Sequence, residues 1–484
     1  MELKDPALFR QECYINGAWV TAQESFEVVD PADGRIVGRV PSLGQEATKQ
    51  TIAAASAAYP AWKALTAKER SAILKRWYAL IVEHQNDLAM IMTREQGKPL
   101  AEAAGEVLYG ASYIEWFAEE AKRVYGDTIP TTQKGKRIIV LKEPVGVCAA
   151  ITPWNFPSAM ISRKAAPALA AGCPVIVKPA AQTPLSALAL AELADRAGFP
   201  PGVFNVITGP AAEIGGELTR NPLVRKLSFT GSTAVGKLLM AACADTVKKI
   251  SLELGGHAPF IVFDDADLDQ AVAGALASKY RNSGQTCVCA NRFLVQEGVY
   301  ELFASKLAAA VRSDFRVGPG VERGNNQGPL IDLNAVIKVE GQIQDALQKG
   351  ARLVAGGKRV GGKGFFFEPT VLVDVTSEMK IAREETFGPV APLFVFKEEA
   401  DAVRMANDSE YGLASYFYSR DIGRAWRVTE ALEYGMVGVN TGVLSSEAAP
   451  FGGMKESGIG REGSKYGIDE YLEIKYMCIG GIDS

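Results

Sequence analysis

Two histidines, His84 and His257, stand among 484 residues, and seven cysteines, an odd number, are spread over positions 13, 148, 173, 243, 287, 289 and 478. So few imidazoles make a zinc site of the usual His-rich or Cys-rich kind hard to assemble, so no metal is expected. The cysteines lie mostly in apolar runs, unlike a disulfide framework, and a reducing compartment fits them. No run of about 18 uninterrupted apolar residues occurs, so no membrane-spanning helix is expected. Met1-Glu2-Leu3-Lys4-Asp5 lacks the cationic stretch and apolar core of a secretory leader, and a cytoplasmic location follows as the expectation. The 52 basic and 56 acidic residues, net −4, are scattered without long blocks. Neither nucleic acid nor an anionic membrane is therefore an expected partner. Long repeats, low-complexity tracts and evident linkers are also missing, so domain boundaries must fall inside ordinary loops.

What is present is a chain with room for about three domain-sized units and ample apolar residues, 48% of the total, to fill their cores. Residues 45 to 123 carry helical spacing almost throughout, interrupted at Gln96-Gly97-Lys98-Pro99. Strand patterns follow at Arg137 to Lys142 and Gly146 to Thr152. A helix is then expected from Asn155-Phe156-Pro157 to Ala171, a strand at Cys173 to Lys178, and a helix from Thr183-Pro184 to Ala197, stopped by Gly198. The alternation continues through strands at Val203 to Thr208, Lys226 to Thr230 and Lys249 to Leu254. It signals a doubly wound parallel sheet, which binds ligands at the carboxyl ends of its strands. A second alternating half, from Pro259 to about Asn440, makes two α/β domains the expectation. The alternating Tyr471 to Ile479 reads as a strand that, with residues 126 to 144, could lie on an edge covered by a second subunit.

Several short segments carry chemistry. Asn282-Ser283-Gly284-Gln285-Thr286-Cys287-Val288-Cys289 places a thiol after a Gly-containing turn beyond an amphipathic helix, where backbone N–H groups can face a developing oxyanion. The alternative is a small buried hydrophobe. Gly231-Ser232-Thr233-Ala234-Val235-Gly236, between strand and helix, suits a phosphate at a helix N-terminus, although a plain Gly-Ser turn looks the same. Lys178 at a strand end could reach ribose hydroxyls or a 2′-phosphate, or simply be solvated. Ala181 puts no carboxylate nearby to repel that phosphate. Glu385, beside an aromatic in a Gly-Pro turn, is a ribose ligand or a turn acid. Glu253 sits in an apolar strand, where desolvation would raise its pKa toward a general base's range, or is a strand-end acid with a cationic neighbour. Asn155 is a helix N-cap or an amide donor to an oxyanion.

Taken in order, Pro-Trp-Asn-Phe-Pro, Lys-Pro-Ala, Gly-Ser-Thr-x-x-Gly, Leu-Glu-Leu-Gly-Gly, Gly-Gln-Thr-Cys, Glu-Glu-Thr-Phe-Gly-Pro and Pro-Phe-Gly-Gly resemble the aldehyde dehydrogenase superfamily over nearly the whole chain. The resemblance implies Cys287 as nucleophile, Glu253 as general base, and Asn155 with the Cys287 backbone N–H as oxyanion hole. It implies a nicotinamide cofactor, NADP before NAD, held by Trp154, Lys178, Gly231, Ser232 and Glu385, with Ala181, Leu254 and Phe387 alongside. The fold it implies is α/β and aldehyde dehydrogenase-like. A Rossmann-type cofactor domain spans 1–125 and 145–253, a catalytic domain 254–455, and a small β oligomerisation element 126–144 and 456–484. A homo-oligomer, dimer or tetramer, is the expected assembly.

Within that superfamily the chain is similar to the succinate-semialdehyde dehydrogenases of gamma-aminobutyrate degradation. The likeness rests on Arg163, Arg281 and Ser445, which in that group hold the substrate's distal carboxylate, as two guanidiniums and a hydroxyl can. Glutarate semialdehyde is the alternative substrate. The Cys-x-Cys pair is usual in that group and suggests Cys289 as a reversible redox partner for Cys287. Two other classes compete: a thiol acyltransferase or hydrolase using Cys287 with His257, and a non-catalytic binding protein on the same fold.

Overall fold

The computed structural model describes residues 1–481. Five parallel strands form the centre of an eight-stranded sheet, in the spatial order Phe204–Val206, Val175–Lys178, Val147–Ile151, Val224–Thr230, Lys249–Glu253. The chain builds outward from Val147–Ile151 in one direction and then returns to lay Val224–Thr230 on its other flank. That reversal opens a crevice at the carboxyl ends of these two strands, the place where doubly wound sheets take ligands. Pro153, Trp154 and Asn155 leave one strand end there, and Gly231 and Ser232 the other.

Local sequence accounts for the covering helices. All thirteen residues of the helix Ala159–Ala171 are buried, and its alanines let it pack closely on Leu100–Glu120 until Gly172, at φ 103°, ends it in the left-handed conformation. Pro184 opens the helix Pro184–Ala197, and the buried Glu95 carboxylate accepts from the N–H groups of Leu185 and Ser186 at 2.7 and 2.8 Å. The helix expected from Asn155 begins at Ala159 instead. The Ser158 and Ala159 N–H groups donate to Glu106 Oε1 at 2.9 and 3.2 Å, so a carboxylate from another helix caps this one and Asn155 is not its N-cap.

Four short strands went unread in the first 44 residues. Cys13–Ile15 and Ala18–Val20 extend the sheet antiparallel beyond Phe204–Val206, while Ser25–Val29 pairs with Ile36–Pro41 in a separate ribbon. At three to six residues each they are too short to display a period.

A seven-stranded sheet follows, six of its strands parallel, in the order Arg352–Ala355, Thr370–Val373, Val390–Phe396, Ala290–Gln296, Ala258–Val262, Ala414–Tyr418, Met436–Val439. Only Leu254 to His257 separate the end of Lys249–Glu253 from Ala258–Val262, so the carboxyl edge of the first sheet meets the amino edge of the second. Cys287 lies on the loop entering Ala290–Gln296, at that junction.

A third sheet joins Asp127–Ile129, Lys136–Pro144 and Leu472–Gly480, in register from Leu472 opposite Pro144 to Gly480 opposite Lys136. It exposes Ile129, Leu141, Ile474, Tyr476 and Met477. Gly458–Ile459 pairs instead with Leu252 and Glu253 at the edge of the first sheet. Among the described residues no helix is long and apolar enough to cross a membrane.

Candidate active site

Three consecutive left-handed residues, Asn282, Ser283 and Gly284 at φ 51°, 57° and 76°, turn the chain from the helix Leu268–Lys279 toward Cys287. For the two residues that carry a Cβ this costs roughly 1–2 kcal/mol each, and specific hydrogen bonds offset it. Asn282 Nδ2 donates to Asn155 O at 3.0 Å and to Gln285 O at 3.3 Å, and its Oδ1 accepts from Gln96 Nε2 at 3.1 Å. Ser283 Oγ donates to Gly328 O at 2.8 Å. At Gly284 a Cβ would fall 2.2 Å from Gly388 O, so only glycine fits. The result is a held loop with a half-buried thiol at its end.

Cys287 shares a cleft of about 300 Å³ with Trp154, Asn155, Met160, Thr230, Gly231, Ser232, Leu254, Glu385 and Phe387. The Asn155 amide donates one hydrogen to Gln285 O at 3.0 Å, and an amide has a second to give. Burial pushes the Cys287 thiol up to about 12, opposed by Arg163 and reinforced by Glu253 and Glu385. Glu253, the last residue of its strand, is buried, and its Oε2 has no hydrogen-bond partner among the described residues. Burial raises its pKa well above the usual carboxylate value, and the Glu462 carboxylate adds to this against Arg163, Lys164 and Arg461.

Glu462 was not anticipated. Its two oxygens face the buried cations Arg163, 2.8 Å from Nη2, and Lys164. Burial works against its charge, yet Lys164 and Arg163 hold its carboxyl below the ordinary range. It is thus a fixed negative charge beside Glu253. Glu462 stands in Gly460-Arg461-Glu462-Gly463, which reads locally as a solvated turn.

On the other wall the Trp154 and Phe387 rings meet edge to face at 5.5 Å. Ser232 Oγ accepts from Val235 N at 3.4 Å and caps the helix Thr233–Cys243, whose N-terminus therefore opens on the cleft. Glu385 accepts from Gly256 N at 3.1 Å, and burial lifts its carboxyl to about 7. Lys178, at the next strand end, is buried without an acceptor for its ammonium among the described residues, and burial lowers its pKa. Ala181 is exposed on the turn beyond it, and neither residue lines the cleft itself.

Arg281 and Ser445, distant in sequence, line one further cavity of about 300 Å³ with Lys98, Glu102, Glu106, Tyr109 and Phe156. The Arg281 guanidinium lies 4.8 Å from the Phe156 ring centre. Arg163 does not line that cavity. It stacks on Phe451 at 3.9 Å beside Glu462, and its Nε makes no hydrogen bond among the described residues. Cys289 turns to Lys279, whose Nζ donates to its sulfur at 3.3 Å and to Asn291 Oδ1 at 2.8 Å, and both Cys287 and Cys289 are free thiols. His257 is buried with Nε2 against Ala382 O at 3.0 Å, and burial with the nearby Arg292 charge drives its pKa well below the usual value.

The chain belongs to the aldehyde dehydrogenase family, whose profile matches residues 19–477. Among curated relatives it is 65% identical over 482 residues to the succinate-semialdehyde dehydrogenase [NADP(+)] of Escherichia coli, covering 99% of this chain and 100% of that one. It is 64% identical over 484 residues to the glutarate-semialdehyde dehydrogenase of Pseudomonas aeruginosa, covering all of both. The crystal structure of succinate-semialdehyde dehydrogenase from Burkholderia pseudomallei superposes with a TM-score of 0.98 at 64% identity, over 99% of this chain and 100% of that one.

Two outcomes are expected from this geometry. In Glu462→Gln the repulsion on Glu253 is lost while Arg163 and Lys164 remain, so the Glu253 pKa falls. The ascending limb of p-nitrophenyl acetate hydrolysis, followed against pH, moves to lower pH. In Gly284→Ala the added Cβ forces the loop off Gly388 O, and turnover falls at least about tenfold with the protein still folded, as steady-state rates and a melting curve will show.

Proposed function

We propose that this enzyme oxidises an aldehyde bearing a distal carboxylate, with succinate semialdehyde as substrate and succinate as product in gamma-aminobutyrate degradation. The observation that carries the reading is the shared cavity of Arg281 and Ser445, a guanidinium and a hydroxyl suited to a carboxylate. Arg163, paired with Glu462 and outside this cavity, is assigned no contact to that carboxylate. The two relatives named for succinate and glutarate semialdehyde both carry such a group, and glutarate semialdehyde is the second candidate.

In this reading the Cys287 thiol first loses its proton to solvent water, and the thiolate sulfur then bonds to the aldehyde carbon while the carbonyl π electrons move onto its oxygen. The second Asn155 N–H and the Cys287 backbone N–H donate to the oxyanion so formed. When bound, a nicotinamide cofactor supplies the hydride acceptor. The thioester left on Cys287 is then attacked by water whose proton passes to the Glu253 carboxylate, and the acid departs with the thiol restored. Its raised pKa makes the Glu253 carboxylate a stronger proton acceptor than a solvated one.

Trp154, Gly231, Ser232, Leu254, Glu385 and Phe387 would hold the cofactor in the cleft, with Lys178 and Ala181 beyond it. The unpartnered Thr230 Oγ1 in the cleft fits such a ligand, because buried polar groups are otherwise satisfied, and the Lys178 ammonium makes no hydrogen bond or ion pair among the described residues that would compete with one. With no carboxylate at Ala181 to repel a 2′-phosphate, NADP is the preferred cofactor and NAD a usable one. A hydrolase built on Cys287 and His257 is disfavoured, since His257 is buried and does not line the cleft that holds Cys287. The exposed apolar side chains of the third sheet, Ile129, Ile474 and Tyr476 on one face and Leu141 and Met477 on the other, support residues 126–144 and the C-terminal strand as an oligomerisation element, in a dimer or tetramer.

Initial rates with succinate semialdehyde, glutarate semialdehyde and butyraldehyde, each with NADP and NAD, test this reading. Arg281→Ala is expected to lower kcat/KM for the carboxylated aldehydes by on the order of tenfold to a hundredfold and to leave butyraldehyde nearly unchanged. An unchanged preference for succinate semialdehyde over butyraldehyde in that variant contradicts it.

A further inference from the structure

We infer that Lys98 and Glu106, a buried ion pair outside the cleft, are positioning residues that set the Asn155 amide for catalysis. The inference rests on Asn155 acting as the oxyanion donor. Lys98 lies in the short link between the helices Gln85–Gln96 and Leu100–Glu120, and Glu106 lies on the second of these. Both side chains are 1% exposed. Lys98 Nζ donates to Glu106 Oε2 and, at 2.7 Å, to Asn155 O, and it sits 4.0 Å from the centre of the Phe156 ring. The other carboxylate oxygen, Glu106 Oε1, accepts from Ser158 N and Ala159 N. The pair therefore grips the segment on both sides of the Phe156-Pro157 turn, by the carbonyl of Asn155 and by the start of the helix that follows.

Asn282 completes the device from the nucleophile side. Its Nδ2 is the second donor to Asn155 O, and it also reaches Gln285 O, the acceptor that fixes the Asn155 amide. Burying an ion pair is often no more stabilising than apolar packing of the same volume. This pair instead directs its hydrogen bonds to the backbone of residues 155, 158 and 159. An oxyanion donor acts only within a few tenths of an ångström of its proper place, so loss of the grip is a loss of rate.

Lys98→Met/Glu106→Gln removes both charges together, so neither is stranded, and an amide oxygen at 106 can still accept from Ser158 and Ala159. Asn282→Asp removes the other donor to Asn155 O while retaining the acceptor for Gln96. Each variant is measured for aldehyde oxidation, for p-nitrophenyl acetate hydrolysis, for cofactor affinity by fluorescence, and in combination with Asn155→Ala. Because Lys98 and Glu106 also line the cavity of Arg281, butyraldehyde, which carries no carboxylate, is the substrate: the expected result is a fall in kcat of about tenfold to a hundredfold in both reactions, with butyraldehyde KM and cofactor affinity unchanged and no further loss when combined with Asn155→Ala. Losses that multiply with that of Asn155→Ala, or that appear in butyraldehyde KM or cofactor affinity instead of kcat, overturn the positioning role and leave the oxyanion reading standing. Full turnover in Asn155→Ala alone overturns both.

Discussion

A single backbone carbonyl, Asn155 O, accepts from Lys98 Nζ and Asn282 Nδ2, while the amide of the same residue donates to Gln285 O. With the bond from Asn282 Nδ2 to Gln285 O, these contacts close a ring between the end of a strand in the first sheet and the loop that carries Cys287. Everything the cleft can do depends on this ring, because its two chemical walls come from different sheets. The thiol enters from the amino edge of one, and the carboxamide and the crevice from the carboxyl edge of the other. The left-handed run at Asn282 to Gly284 is tolerable because the ring and Ser283 hold it, an instance of backbone strain kept where geometry matters.

Charge is arranged around the ring in a graded way. Arg163 and Lys164 are neutralised mainly by Glu462, and Glu253 sits beside that trio without a hydrogen-bond partner of its own on Oε2. The Cys287 thiol is pushed up by burial and by the two acids, and pulled down by Arg163. Burial thus raises both the thiol and the Glu253 carboxyl above their ordinary values, with Arg163 opposing the shift at each. One fixed negative charge, Glu462, raises the Glu253 carboxyl against the lowering field of the buried cations Arg163 and Lys164.

Much of the fold was legible in the sequence because parallel strands buried on both faces are continuous apolar runs, such as Val175-Ile176-Val177, with glycine or proline punctuating their neighbours. The strands of the first 44 residues were not, being short and without a sustained period. Residues that line the cleft were legible as motifs: Trp154 and Asn155, Gly231 and Ser232, Cys287 and Glu385 each stand in a distinctive local string, as does Glu253, which is buried next to the cleft residue Leu254. Lys98, Glu106, Asn282 and Glu462 were not, since a lysine between glycine and proline or a glutamate in a helix reads as solvated, and its burial is decided by elements far along the chain. The same applies to Arg163, which occupies a helix whose every residue is covered. Arg281 and Ser445 could be paired only through resemblance, and the structure adds that they share a cavity while Arg163 stands apart from it.

The central claim is that a carboxylated aldehyde becomes a thioester on Cys287. It is tested most directly by mass spectrometry of Glu253→Gln mixed with succinate semialdehyde and oxidised cofactor. The account predicts a succinyl adduct on the peptide containing Cys287, formed with a burst of reduced cofactor and released by hydroxylamine. A burst without that adduct, or an adduct on another residue, contradicts it.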